Sequence, residues 1–188
     1  MKKTVFVGLL SVSILAEIHA TEKKEINQNK THSLKIPDKV PSGIIKEYYE
    51  NGKIRSSISY RGDEKHGLRK EFYETGKLLL KVPYHHTLFH GVMELYYPSG
   101  KLQLEIPFKN NTVDGMMKAY YSTGKLHYET PFILGKKKGI GKVYNPTGKP
   151  KIALFHNANY NDVIKVYSEN NTLLLEIIIE DGKVINTP

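Results

Sequence analysis

The stretch Gly91–Asp114, GVMELYYPSGKLQLEIPFKNNTVD, decides how the chain folds. Two runs rich in aliphatic and aromatic residues flank Pro98-Ser99-Gly100. Proline is favoured at the first central position of a type I turn, and the glycine that follows adopts a left-handed conformation at little cost. The three residues therefore read as the loop of a β-hairpin. Two strands and a tight turn account for the 24 residues and leave nothing for a helix.

The pattern returns on both sides. Gly43, Gly67, Gly91, Gly115 and Gly139 are spaced by 24 residues, and so are Gly52, Gly76, Gly100, Gly124 and Gly148. The second series closes the turns Glu50-Asn51-Gly52, Glu74-Thr75-Gly76, Pro98-Ser99-Gly100, Ser122-Thr123-Gly124 and Pro146-Thr147-Gly148. A sixth unit from Asp162 through Asn171 runs one residue early and lacks the glycines, as expected of a degenerate terminal cap. The predicted fold class is all-β: a repeat protein made of a single-layer antiparallel meander of about six 24-residue β-hairpins, spanning residues 42–183 and followed by a tail at 184–188.

The turn type sets the register. It places Tyr48, Phe72, Tyr96, Tyr120, Tyr144 and Tyr167 opposite Ile54, Leu78, Leu102, Leu126, Pro150 and Leu173. Uninterrupted alternation from there puts Ile44, Leu68, Val92, Met116, Ile140 and Val163 on one apolar face with Leu80, Leu104, Tyr128, Ile152, Leu175, Tyr60, Tyr84, Phe108 and Phe132. Lys46, Lys70, Lys118, Lys142 and Lys165 share this face, with stems on the aromatics and ammonium groups reaching water. The opposite face is expected to carry Tyr49, Tyr73, Tyr97 and Tyr121 in phase, facing Lys53, Lys77, Lys101 and Lys125, with Glu105, Glu129 and Glu176 on the same side. Successive rungs lie two strand spacings apart, about 9.5 Å. These eight tyrosines and lysines are the candidate partner-binding residues, since aromatic faces beside cations suit extended ligands.

Before the repeats, Lys2 and Lys3 precede an apolar run from Thr4 to Ala16 that ends near Ala20. This is the layout of a secretory signal peptide over 1–20, too short to span a bilayer, so an exported, periplasmic or secreted protein is expected. Residues 21–41 are polar, contain Pro37 and Pro41, and read as a flexible leader. The 188 residues contain 28 Lys and Arg against 19 Asp and Glu, a net charge of +9, and no cysteine. A disulfide framework, a Cys-ligated zinc and a Cys nucleophile are thereby excluded. For an exported chain the basic balance points to anionic lipid, acidic glycan or acidic protein rather than nucleic acid.

The units resemble the bacterial variant of the MORN repeat, a Tyr-Tyr-x-x-Gly-Lys/x-Leu hairpin followed by an aromatic, a loop and a His-Gly or Asp-Gly step. Here that step is His66-Gly67, His90-Gly91 and Asp114-Gly115. The resemblance covers about Gly43 to Lys183 and implies an elongated, curved sheet with an exposed groove. It also implies a role like that of antitoxin or immunity proteins, which bind and neutralise a partner protein without catalysis.

Catalytic signatures are weak. His85-His86 with His90 is a local imidazole cluster. No carboxylate stands at a fixed short spacing to complete a site, so a solvated loop between hairpins is expected, with no metal and no cofactor. His66 and His90 are repeat-equivalent and so expected about 9.5 Å apart, too far to share an ion. Glu105 and Glu129 have a separation near the upper end of the roughly 6.5–9.5 Å of inverting glycosidases, but translation along a sheet produces such pairs without any catalytic purpose.

The expected function is therefore that of a non-catalytic exported protein that engages a partner protein through its repeat sheet. The alternative is an envelope or surface module binding anionic glycan or lipid through the Tyr/Lys ladder. No transmembrane segment is expected. The run Thr172–Glu180, apolar on both sides and at a terminal edge, suggests self-association through that strand.

Overall fold

The computed structural model describes residues 42–156, 162–168, 170, 172–180 and 183–186, all within the unit Lys39–Pro188. The proposed signal peptide and leader lie outside the described residues. Each hairpin turn behaves as its sequence requires. Tyr97 N–H donates to Lys101 O at 2.8 Å, Gly100 N–H donates to Tyr97 O at 2.7 Å, and Gly100 is left-handed at φ +89°. The same closure recurs from Tyr49 to Asn145, and Ser168 N–H bonds Thr172 O at 2.8 Å in the glycine-free sixth unit.

The strands in chain order are β1 (Gly43–Tyr48), β2 (Ile54–Arg61), β3 (Glu64–Phe72), β4 (Leu78–His85), β5 (Leu88–Phe89), β6 (Gly91–Tyr96), β7 (Leu102–Lys109) and β8 (Thr112–Val113). They continue as β9 (Gly115–Tyr120), β10 (Leu126–Ile133), β11 (Lys136–Lys137), β12 (Gly139–Tyr144), β13 (Pro150–His156), β14 (Asp162–Tyr167), β15 (Leu173–Glu180) and β16 (Lys183–Asn186). All pair antiparallel in one open sheet, and no helix occurs among the described residues. The six hairpins are β1–β2, β3–β4, β6–β7, β9–β10, β12–β13 and β14–β15, and short β5, β8 and β11 pair back onto β4, β7 and β10.

The connections after β4, β7 and β10 are themselves tight turns. His86-Thr87 and Asn110-Asn111 have positive φ at both positions, as a two-residue type I′ loop demands, and Leu134-Gly135 does the same. Each turn ties back to the segment just after the preceding connecting turn: Thr87 N–H bonds Lys65 O, Asn111 N–H bonds Phe89 O and Gly135 N–H bonds Val113 O, at 2.9, 3.0 and 2.9 Å.

The expected turn-proximal pairs form, from Tyr48–Ile54 to Tyr167–Leu173. One residue later the register slips. Tyr96 pairs with Leu102 but Leu95 pairs with Leu104, so Gln103 is a β-bulge, as are Arg55, Leu79, His127, Lys151 and Leu174. A one-residue slip moves every later side chain to the other face. Ile44, Leu68, Val92, Met116, Ile140 and Val163 therefore do not share a face with Leu80, Leu104 and Phe108, contrary to the uninterrupted alternation. Val92 pairs with Pro107, whereas Met93 pairs with Ile106 and Glu94 with Glu105. Without the bulge Glu94 would face Leu104, and Met93 would face Glu105. With it, apolar groups meet apolar groups.

The inner face so formed holds the core: Val82, Tyr84, Met93, Leu104, Ile106, Met117, Phe132 and Leu154 are buried, Ile106 completely. Tyr84, Phe89 and Phe108 run across it with ring centroids 5.1 and 5.4 Å apart. Toward the first hairpin this face turns polar. Glu47 bonds Arg55 and Ser56, each at 2.9 Å, and Arg69 pairs with Glu71. The Arg55 hydrogen bond outweighs burial and holds the Glu47 carboxyl below its ordinary pKa. At the far end β16 pairs with Ile178–Glu180 of β15. Residues 184–186 thus belong to the sheet rather than to a tail, and Thr172–Glu180 is not the terminal strand.

Two sites test the backbone requirements. Gly115 has φ +126°, and a Cβ there would lie 2.9 Å from Pro107 Cγ. Gly115→Ala is expected to cost about 1–3 kcal/mol in urea unfolding. Leu134 is left-handed at φ +50° and 75% exposed, at a position where the preceding unit has Asn110. Leu134→Asn is expected to raise stability by about 0.5–1 kcal/mol, part of the ~1–2 kcal/mol that a left-handed bulky residue costs.

Candidate functional site

Tyr49, Tyr73, Tyr97 and Tyr121 stand beside the hairpin turns, in phase as expected. Each hydroxyl reaches the next hairpin. Tyr73 OH donates to Tyr96 O at 2.6 Å, Tyr97 OH to Tyr120 O at 2.8 Å, Tyr121 OH to Tyr144 O at 2.7 Å, and Tyr49 OH to Phe72 O. Burial pushes the Tyr73 and Tyr121 phenols above their ordinary pKa. His127 stacks on Tyr121 at 4.1 Å.

Lys53, Lys77, Lys101 and Lys125 lie opposite these tyrosines and follow the same rule. Their ammonium groups donate to Thr75 O, Ser99 O, Thr123 O and Thr147 O at 3.2, 3.1, 2.9 and 3.4 Å. A carbonyl positions an ammonium without neutralising it. The turn edge therefore keeps a row of exposed positive charges, while the tyrosine hydroxyls serve as ties between hairpins.

Glu105, Glu129 and Glu176 are not on this side. They belong to the outer face, in a ladder that crosses the sheet with one position per strand: Lys46, Ser57, Lys70, Lys81, Glu94, Glu105, Lys118, Glu129, Lys142, Ala153, Lys165 and Glu176. Lys81–Glu94 closes at 2.9 Å and Lys165–Glu176 at 3.5 Å. Tyr120 OH donates to Glu105 and Tyr144 OH to Glu129, both at 2.7 Å and both reaching back one hairpin. Tyr96 finds Lys81 at the equivalent place and bonds Glu94 of its own strand instead, at 2.7 Å. Burial raises the pKa of the Glu94 carboxyl, but the Lys81 ammonium and Tyr96 hydroxyl outweigh it and hold the group below its ordinary range. Glu105 and Glu129 thus have phenol partners and face lysines, which accounts for their spacing by packing.

Beside this ladder runs a row that sequence alternation had assigned to the core. Ile44, Val92, Met116 and Ile140 are 63, 42, 41 and 43% exposed, repeat-equivalent, with Pro107 opposite Val92 and Pro131 opposite Met116. Their exposure follows from the bulge, whose only signal in the sequence is the mismatch of Glu94 with Leu104 under straight pairing. Among the described residues, one group has metal-ligating composition: His66, His85 and His86, at the opposite edge from the hairpin turns.

The profile of the MORN repeat variant matches residues 41–61, 65–86, 89–110 and 113–133. These four hairpins are MORN repeats of the variant type. A search of curated proteins finds no match to the chain. The hairpins β12–β13 and β14–β15 continue the MORN register beyond the matched residues, with the same turn closure and the same bulge. No helix among the described residues is long and apolar enough to cross a membrane.

Two outcomes test these ties. Tyr97→Phe removes one bond between MORN hairpins and is expected to cost about 1 kcal/mol in urea unfolding. Burial, followed by the bonded carboxylates, pushes the Tyr96, Tyr120 and Tyr144 phenols up to about 12. The folded state then holds these protons more tightly than the unfolded chain, whose phenols titrate near 10. Their contribution to stability is complete below pH 10 and lost as pH rises through about 12. Ultraviolet titration of the folded protein is expected to show three late tyrosinates.

Proposed function

We propose that this MORN array is a non-catalytic binding scaffold, exported from the cytoplasm, that engages a partner protein through its outer face. One observation carries the reading: a row of apolar side chains in repeat phase stays exposed beside a ladder of charged residues in which Lys81–Glu94 and Lys165–Glu176 are paired. Exposed apolar surface in a regular row is the mark of a protein contact rather than of solvation. Burying each half-exposed Val, Ile or Met against a partner contributes about 1 kcal/mol, so several in a row supply a useful share of an affinity. The Lys–Glu ladder alongside sets orientation and register by charge complementarity.

A second reading rests on Lys53, Lys77, Lys101 and Lys125. Their carbonyl-bound ammonium groups form an uncompensated positive row at a spacing of about 9.5 Å, suited to an anionic glycan or lipid surface.

Affinity capture separates the two. The full chain, a Val92→Lys/Met116→Lys variant and a Lys77→Gln/Lys101→Gln variant are compared at low salt and at about 1 M salt, where the screening length is ~3 Å. The outer-face reading expects one protein retained by wild type and by the glutamine variant at both salts, and lost with the Val92/Met116 variant. Retention by that variant, or loss in salt together with loss in the glutamine variant, moves the contact to the turn edge.

A further inference from the structure

The connecting edge between the second and third hairpins carries an arrangement found at no other connection among the described residues. The pair Gly67–Tyr84 closes the regular ladder between β3 and β4, and the next position out brings His66 beside His85. The bulge at Leu79 is what aligns them; straight pairing would set His66 against Tyr84. The type I′ turn then folds His86 over the same spot, held by Thr87 N–H bonding Lys65 O at 2.9 Å. Ring centroids of His66 and His85 are 5.2 Å apart, those of His85 and His86 4.4 Å, and those of His66 and His86 5.5 Å. One ligand atom from each of the three imidazoles lies within 4.8 Å of the others.

A carboxylate also stands here, which the spacing of residues had not suggested. His86 Nδ1–H donates to Glu64 Oε2 at 2.7 Å. A carboxylate on one ring nitrogen fixes the tautomer and leaves the lone pair of the other nitrogen, Nε2, available. This is the usual support of a metal-bound histidine. His66 Nδ1 is buried without a hydrogen-bond partner. The turn itself has an unforced alternative: the next connection places Asn110-Asn111 at left-handed positions where this one has His86-Thr87 at φ +48° and +65°. Asparagine suits such a turn better, so histidine at 86 answers to something other than turn formation.

We propose that His66, His85 and His86, with Glu64 orienting His86, bind one divalent transition metal ion of the imidazole-preferring kind, zinc or copper, at the connecting edge of the second hairpin. Three imidazoles with a fourth position open to water match the donor set and number such ions accept. The ion would join the start of β3 to the turn after β4 and so clamp the second hairpin at its open end. His90 lies outside the set: its ring is 5.7 Å from that of His85, and its Nδ1–H is engaged by Asn110 Oδ1 at 3.1 Å.

The test uses the untagged full chain stripped with a chelator. It is titrated calorimetrically with Zn²⁺ and followed by visible absorption with Co²⁺, whose spectrum reports tetrahedral nitrogen coordination. One equivalent is expected to bind and to raise the melting temperature. His66→Ala, His85→Ala and His86→Ala are each expected to weaken binding at least about tenfold and to remove that rise, and Glu64→Gln to weaken it by roughly tenfold. His127→Ala is expected to bind as wild type. The metal-free melting temperature of each variant shows that it is folded. Absence of stoichiometric binding by wild type overturns the proposal. So does undiminished binding by His66→Ala, which would reduce the effect to the adjacent surface pair His85-His86.

Discussion

A single unpaired residue after each glycine turn sets everything else in this sheet. The turn aligns the first pair of side chains, and the bulge then shifts the returning strand by one, so that Leu104, Ile106 and Phe108 meet Leu95, Met93 and Gly91. Straight pairing would seat Glu94 opposite buried Leu104, where an unpaired carboxylate costs several kcal/mol. Because the bulge recurs in all six hairpins, inner and outer faces stay continuous from one unit to the next.

Lateral cohesion comes from ties that end on backbone carbonyls. The turn-edge tyrosines and lysines each reach one hairpin along, the amide groups of the connecting turns reach back to the segment after the preceding connection, and none depends on which side chain the neighbour carries. Such a stack is held by nearest-neighbour terms and tolerates change at exposed positions. The outer face is thus free to display Val92 or Met116 without disturbing the array.

Departures from the repeat are where distinct chemistry appears. Lys81 stands where the later units have Glu105 and Glu129, and Tyr96 turns to Glu94 in response. His85 and His86 replace the Lys109-Asn110 of the following connection, and with His66 opposite them a surface turn becomes a cluster of nitrogen donors.

Much of this was legible in the sequence. Two glycine series in step, with Pro-Ser-Gly and its relatives before strand-forming runs, determine an all-β meander, because only glycine cheaply occupies the left-handed turn position and nothing in 24 residues favours a helix. Tyr48, Tyr96 and Tyr120 have the partners that turn chemistry demands. The rest required tertiary structure. Whether alternation continues past the turn depends on the joint burial of several strands, which no single unit encodes. The exposure of Met116, the outward position of Glu105 and Glu129 and the meeting of His66 with His85 were all decided by that one-residue shift. A register is a property of paired strands, and its energy is summed over the whole sheet.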